Sequence, residues 1–375
     1  MGQVILESMP RVDWDFAGQG TGKHITGLHP YPARFIPAIP KAAIRAYLDS
    51  PGCVLDPFAG CGSTLVEAAY AGHSAVGIDV NGVAHLLQRV YGTRYTKTQL
   101  EAVRRLAVSE PALPTLEAAL DTVREIPRIE HWFGPNAIRA LAWAMGKVRS
   151  LKGPPSDLAA LAVSRVIVTL SKQESDTQYR ATTPDLPVGE AVTLVRRSML
   201  ETVDRVASHV VALRGKVTAR LGDSRDDASF AGLGTADLVV TSPPYPNAYE
   251  YWLYHKYRMF WMDMDPIWSR THEIGARPYF SGSGKLGPLD FQRDMATVFA
   301  NVDQVCTPDA RQVWVVGNSV IKGELVDNAQ LISDVAEDHD WMVSREERKV
   351  SRHRSSFQGI GRQKQESVLV MVRRA

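Results

Sequence analysis

The stretch CVLDPFAGCGSTLVEAAYAGHSAVGIDVN, residues 53–81, leaves a chain like this few folds. A short apolar strand runs into a glycine-rich turn, a helical pattern continues to Gly72, and a second apolar strand ends at Asp79. This is a βαβ unit, the building block of a doubly wound parallel sheet. Strand-like runs return at VTARLGDSRD, ADLVVTSPPYPN, RQVWVVGNS and ESVLVMVR, with a helix-like aromatic run, YEYWLYHKYRMFWMD, between the second and third. Alternation of apolar strands with helices predicts a mostly parallel α/β sheet.

Between about Gly92 and Arg214 the texture is helical, as in TQLEAVRRLAVSE, AIRALAWAMGKVRSL and EAVTLVRRSMLETVDRVASHVVALR. Breaks at PALP and KGPPSD punctuate it, and SKQESDTQYRATTPDLPVG is its most polar stretch. The expected organisation is therefore a catalytic domain over 1–91 and 215–375, interrupted by a helical insertion over 92–214. No repeat or low-complexity tract is visible.

Composition narrows the class. With 45% hydrophobic and 22% charged residues over 375 positions, the chain reads as globular, and no apolar run approaches the roughly 20 residues of a membrane span. The start, MGQVILESMPRVDWDF, lacks the basic and apolar parts of an export signal, so a cytoplasmic location is the expectation. Cys53, Cys61 and Cys306 form neither a disulfide framework nor a zinc spacing, and no metal is expected. A net charge of +2 leaves charge placement, rather than the total, to indicate nucleic acid.

Two constellations carry chemistry. In DPFAGCGST, Gly60 and Gly62 permit a tight turn and a close backbone approach to a ligand, and Asp79 at the next strand end suits ribose hydroxyls. A generic nucleotide-binding turn is the bland alternative. Asp56 argues against it, because a carboxylate at the first strand end repels a pyrophosphate but accepts hydrogen bonds from an ammonium group. A zwitterionic cofactor fits better than a dinucleotide. In VVTSPPYPN, an apolar strand ends in Ser242, Pro243, Pro244 and Tyr245, a loop with preset backbone angles at a carboxyl strand end, where open α/β sheets bind ligands. A stiffened surface turn is the alternative there.

Together these residues resemble the amino-group DNA methyltransferases, which act on cytosine N(4) or adenine N(6). DPFAGCGST is similar to that family's cofactor motif and TSPPY to its catalytic motif. The resemblance implies a Rossmann-like class I methyltransferase fold, S-adenosylmethionine as cofactor, and double-stranded DNA as partner, with a cognate restriction endonuclease as a candidate second partner. It assigns cofactor contacts to Phe35, Asp56, Phe58, Gly60, Gly62, Asp79 and Asp223. Phe35 comes from the proline-rich segment GLHPYPARFIPAIPKAAI, whose prolines are expected to delay a helix until Pro40. Asp223 in LGDSRD would meet the adenine amino group. The resemblance makes Ser242, Pro243, Pro244 and Tyr245 the catalytic tetrad, and serine at its first position is associated mainly with cytosine.

The residue types suit that reaction. An exocyclic amine is a weak nucleophile, and acceptors on its hydrogens, such as the Ser242 side chain and the Pro243 carbonyl, bias its lone pair toward a methyl donor. The base has to leave the stack, at a few kcal/mol, and Tyr245 offers a stacking face for it. Adenine N(6) is the nearest rival substrate, RNA a further one, and a catalytically idle DNA-binding protein is the rival from another class.

The motif order, with the catalytic motif last, places no recognition domain by analogy, so the helical insertion is one candidate for it. Phosphate contacts are expected from REERKVSRHRSSFQGIGRQK, residues 345–364, where seven Arg or Lys stand against two Glu. Arg348, Lys349, Arg352 and Arg354 are the candidates, and a solvated hairpin is the alternative. Arg180, Arg196 and Arg197 are weaker ones. The aromatic run Tyr249–Trp261 reads as core, with Glu250 and Tyr251 as exceptions bordering the base pocket. His24 and His29 read as structural, for want of partners at metal spacing.

Overall fold

The computed structural model describes residues 9–16, 22–123, 125–176, 178–182, 184–247, 249–281, 286–349 and 365–374. Its strands are β1 (Cys53–Asp56), β2 (Ser74–Asp79), β3 (Gln173–Ser175), β4 (Gln178–Ala181), β5 (Val217–Leu221), β6 (Ala236–Thr241), β7 (Cys306–Gly317), β8 (Ser319–Ile321), β9 (Glu324–Val326), β10 (Trp341–Lys349) and β11 (Gln365–Arg373).

Seven of these form one sheet, in the order β10-β11-β7-β6-β1-β2-β5. The pairs β5·β2, β2·β1, β1·β6 and β6·β7 are parallel, and only β11 runs antiparallel to its neighbours. In order of appearance this is 3-2-1-4-5-6 with one reversed strand inserted before the last, the doubly wound arrangement of a Rossmann-like fold. Strand order reverses between β1 and β6, and the rule for open α/β sheets puts the ligand crevice at that switch, beyond the carboxyl ends of the strands. Both chemical motifs sit there.

The strands nearest the switch are apolar on both faces because both faces are covered. Leu55, Val239 and Trp314 pack toward the helices Pro288–Val305 and Asn328–Asp338, while Val54, Leu238 and Val313 pack toward Ala38–Tyr47 and Ser63–Ala71. The helix Ala38–Tyr47 starts two residues earlier than its prolines suggest. Pro40 lies in its first turn, where a missing N–H leaves no intrahelical bond unmade.

Residues 92–214 are mostly helical, with Lys97–Val108, Pro135–Ser150, Pro154–Leu170 and Val188–Val210 as the long members. The polar stretch contains the β3–β4 hairpin, short strands whose sequence shows no apolar alternation. These helices share one apolar core with Gly82–Gly92 and with Tyr251–Trp261, the helix after the catalytic motif. Arg258, 1% exposed on that helix, pairs with Asp176 of the insertion and donates to the Ser164 carbonyl. Residues 92–214 are thus packed against the helices that follow β2 and β6.

Candidate active site

At the end of β1 the backbone must reverse over the sheet edge, and Gly60 and Gly62 take φ of +49° and +84°, values few other residues adopt. A side chain on Gly60 would also meet the Tyr31 ring at 3.4 Å. The turn is held by Asp79, whose carboxylate accepts from the Gly60 amide at 2.8 Å and from the Asn81 amide at 2.8 Å. Gln88 donates to the Gly60 carbonyl at 3.0 Å. All of these partners lie within the βαβ unit and its next helix.

Asp56 is 2% exposed and accepts from the Phe58 amide at 3.1 Å and from the Thr241 hydroxyl at 2.6 Å. The second bond spans 185 positions of the chain and joins the cofactor motif to the residue before Ser242. Thr64 adds a parallel tie, donating to the Val240 carbonyl at 3.2 Å. The two motifs therefore abut at the rim of a single sheet.

Burial pushes the carboxyls of Asp56 and Asp79 each up to about 6, and among the described residues no Arg or Lys offsets it. A buried carboxylate without a counter-cation is stabilised by an incoming cation or donor. S-adenosylmethionine, with an ammonium group and ribose hydroxyls, fits that donor requirement; a pyrophosphate does not.

The other expected cofactor residues fare unevenly. Phe35 packs partly buried against the core under β1, while its carbonyl accepts from the Ser63 hydroxyl at 2.8 Å and so ties the proline-rich arm to the glycine turn. Phe58 lies edge-on to Trp314, with ring centroids 6.4 Å apart. Asp223 is beside the turn, since Ser224 donates to the Pro57 carbonyl at 2.6 Å, but its carboxylate is clasped by Arg225 at 2.7 Å. Nothing in the sequence LGDSRD marks Arg225 as the partner of Asp223.

In the Ser242–Tyr245 loop, the Ser242 and Tyr245 hydroxyls are 3.2 Å apart, and Tyr245 donates to the Val315 carbonyl at 3.2 Å. With the tyrosine hydrogen committed to Val315, the serine hydrogen goes to Tyr245, and the serine oxygen keeps lone pairs for another donor. Burial moves the Tyr245 phenol far above its ordinary range, so it stays protonated. Its ring lies where a side chain on Gly317 would be, 2.8 Å from that position.

Tyr31, Tyr249, Tyr251 and His255 continue the wall from Gly60. The Tyr31 ring is 5.9 Å from Tyr251 and 5.0 Å from His255, and Tyr251 is 5.8 Å from Tyr249. Tyr251 is thus linked through Tyr31 to the glycine turn, in addition to its place in the chain shortly after the Ser242–Tyr245 loop. His29 bonds the Pro30 carbonyl at 2.7 Å and Ser164 at 2.9 Å, and His24 pairs with Glu67, which are structural roles. Glu273, whose sequence context signalled nothing, is buried at the start of the helix Tyr251–Trp261, where it accepts from the Tyr251 and Trp252 amides.

The basic segment requires a correction. Arg345 to Lys349 are the end of β10, paired in register with Gln365 to Leu369. Arg348 is 4% exposed and ion-paired with Glu366 at 2.9 Å, so it is unavailable to a phosphate in this state. Arg345 is held by Asp327 and Glu347. Lys349 is the last residue of β10, and Arg352 and Arg354 lie outside the described residues. The weaker candidates divide: Arg180 and Arg197 are exposed, whereas Arg196 donates to the Ser109 carbonyl beside Trp143. Among the described residues no group of three or more His, Cys, Asp or Glu is arranged for a metal ion, and no helix is long and apolar enough to cross a membrane.

Residues 11–86, which hold the proline-rich arm and the glycine turn, match the N6/N4 methyltransferase family model, described as DNA methylase. Over 98 residues the chain is 30% identical to the Type II methyltransferase M.MjaII of Methanocaldococcus jannaschii, an alignment covering 25% of this chain and 18% of that protein. Both matches support the amino-group DNA methyltransferase resemblance. Among solved structures, TrmN from Thermus thermophilus aligns over 94% of this chain and 52% of its own at 10% identity, with a TM-score of 0.35. The rRNA methyltransferase aviRa from Streptomyces viridochromogenes aligns over 94% and 93% at 11% identity, with a TM-score of 0.34. The fold assignment rests on the strand order and register described above rather than on these likenesses.

Proposed function

We propose that this chain is a DNA methyltransferase that uses S-adenosylmethionine and modifies the N(4) amino group of a cytosine rotated out of the duplex. The observation that carries the reading is the 2.6 Å hydrogen bond from Thr241 to Asp56, which sets the tetrad beside the glycine turn. When bound, S-adenosylmethionine supplies an electrophilic methyl group. The chain's own residues do the rest. Asp56 receives the ammonium end and Asp79 the ribose, each with acceptor capacity beyond its present backbone partners.

Ser242 accepts from the target amine because its own hydrogen is directed to Tyr245, and the Pro243 carbonyl is the second acceptor. Two acceptors on the amine hydrogens leave the nitrogen lone pair facing the donor. No strong general base is required, since the nitrogen becomes acidic on methylation and afterwards releases its proton to solvent water. Tyr245 supports the base with its ring face, by analogy a contribution of about 1–3 kcal/mol. The cytosine preference follows the serine at the head of the tetrad, by resemblance.

Incubation of the protein with DNA and S-adenosylmethionine, followed by mass spectrometry of the nucleosides, is the test. The expected product is 4-methylcytosine. A 6-methyladenine product without 4-methylcytosine overturns the base assignment, and absence of any methylated base overturns the reaction.

A further inference from the structure

We infer that Glu273 is a positioning residue that holds the catalytic loop in register with the glycine turn by gripping the first turn of the helix Tyr251–Trp261; the inference rests on the function proposed above. The loop from Ser242 enters that helix through Glu250, the residue in the capping position, whose side chain bonds none of the free amides. Glu273 caps from a distance instead. One oxygen accepts from the Tyr251 amide at 2.7 Å and the other from the Trp252 amide at 2.9 Å.

The same short stretch holds the near end of the loop. The Gly275 carbonyl accepts from the Asn247 amide at 3.0 Å, and Gly275, with φ of +76°, lies so close that a Cβ would be 3.3 Å from the Tyr245 and Pro246 backbone. One residue before Glu273, the His272 carbonyl accepts from Arg225 at 3.1 Å, and Arg225 also binds Asp223 and Asp294. Residues 272–275 therefore connect both ends of the loop after the tetrad to the strand end beside the cofactor motif.

A local Ser, Asp or Asn at position 250 would cap the helix at less expense than a buried acid. Glu273 is 8% exposed, and burial, reinforced by Asp79 and Glu250, pushes its carboxyl up to about 8. Among the described residues no Arg or Lys forms an ion pair with Glu273, and a buried acid so placed is an uneconomical way to stabilise one helix end. What it adds over a local cap is the link between two distant segments.

The test compares wild type with Glu273→Ala, Glu273→Gln and Gly275→Ala on three readouts: cofactor dissociation constant, KM for DNA, and kcat per cofactor-binding molecule. A shift of the loop by about 1 Å predicts a fall in kcat of about 10- to 100-fold for Glu273→Ala, with cofactor affinity and KM for DNA within about threefold of wild type. Glu273→Gln, keeping one acceptor, should recover part of the rate. Unchanged kcat per binding-competent molecule, even with a lowered melting temperature, overturns the inference, as does a parallel loss of cofactor binding. Should Glu273→Ala fail to fold, Glu273→Gln and Gly275→Ala decide alone: reduced kcat at intact cofactor affinity supports the grip, and wild-type kcat in both overturns it. Wild type that methylates no DNA overturns the proposed reaction instead, a result separate from any difference among the variants.

Discussion

The glycine turn and the catalytic loop lie against each other, yet they are held in opposite ways. The turn is closed by neighbours in the chain: Asp79, Asn81 and Gln88 all follow Gly60 within one βαβ unit and its next helix. The loop is held by outsiders, with Val315 and Gly317 under Tyr245, Gly275 behind Pro246, Val320 bound by the Asn247 side chain and Glu273 beneath Tyr251. The turn's own shape is fixed from within its βαβ unit, and its remote ties through Asp56, Pro57 and Ser63 flank it; the loop has no such internal closure and depends on three outside segments for its shape. The proposed cofactor turn should therefore tolerate distant substitutions better than the proposed catalytic loop.

Removing the tyrosine tests that asymmetry most severely. Tyr245→Ala loses the stacking face and the partner that orients the Ser242 hydroxyl, so kcat should fall by about 1000-fold or more while cofactor affinity stays within about threefold. Tyr245→Phe, which keeps the ring, should fall between the two. Steady-state methyl transfer alongside equilibrium cofactor binding measures both; equal losses in the two quantities would dissolve the distinction between turn and loop.

On the turn side, Asp79→Ala should weaken the cofactor by about 10- to 100-fold, the loss of a charge-assisted hydrogen bond of roughly 1.5–3 kcal/mol. Acidity should act in the same direction. The cofactor-free carboxyls of Asp56 and Asp79 sit near 6, above their ordinary value, so affinity should hold above about pH 6 and decline as protonation proceeds below it. The stability of the cofactor-free protein should move oppositely. The folded state binds the extra protons, so these groups lower stability as pH rises from the ordinary carboxyl range through about 6. Calorimetric titration and thermal melts across pH 4.5–7.5 read both trends, and affinity flat across that range would remove the two aspartates from the site.

The smallest effect is expected where charge was most conspicuous in the sequence. Arg348→Ala should leave the salt dependence of DNA binding unchanged, since a side chain buried against Glu366 releases no counterion. It should instead lower the melting temperature, because a largely buried ion pair is broken. A slope of log affinity against log salt reduced by about one would return Arg348 to the interface.

Much of the fold was legible because its signals are short-range. The apolar strands, the glycines and Asp79 of the βαβ unit lie within 27 residues, and backbone geometry alone demands glycine at φ of +49° and +84°. β10 was not legible: REERK carries no apolar alternation and becomes a strand only because ESVLVMVR supplies an apolar partner in register. Glu273 was equally silent, as nothing near it in the chain resembles a cap. Thr241 was no more legible, since its role depends on a residue 185 positions away in the chain.

By itself the sequence determined the residue types and local shapes: a left-handed glycine turn flanked by two acids, a proline-stiffened tetrad, and strands apolar enough to lie in a covered sheet. Tertiary structure decided which of these meet and which charges are free. Laying β6 beside β1 brought Thr241 to Asp56, and pairing β10 with β11 withdrew Arg348 from solvent. The reason is one of range. Backbone preferences act over a few residues, whereas ionisation, pairing and desolvation depend on whatever the burial of apolar faces brings alongside, and that burial is non-directional.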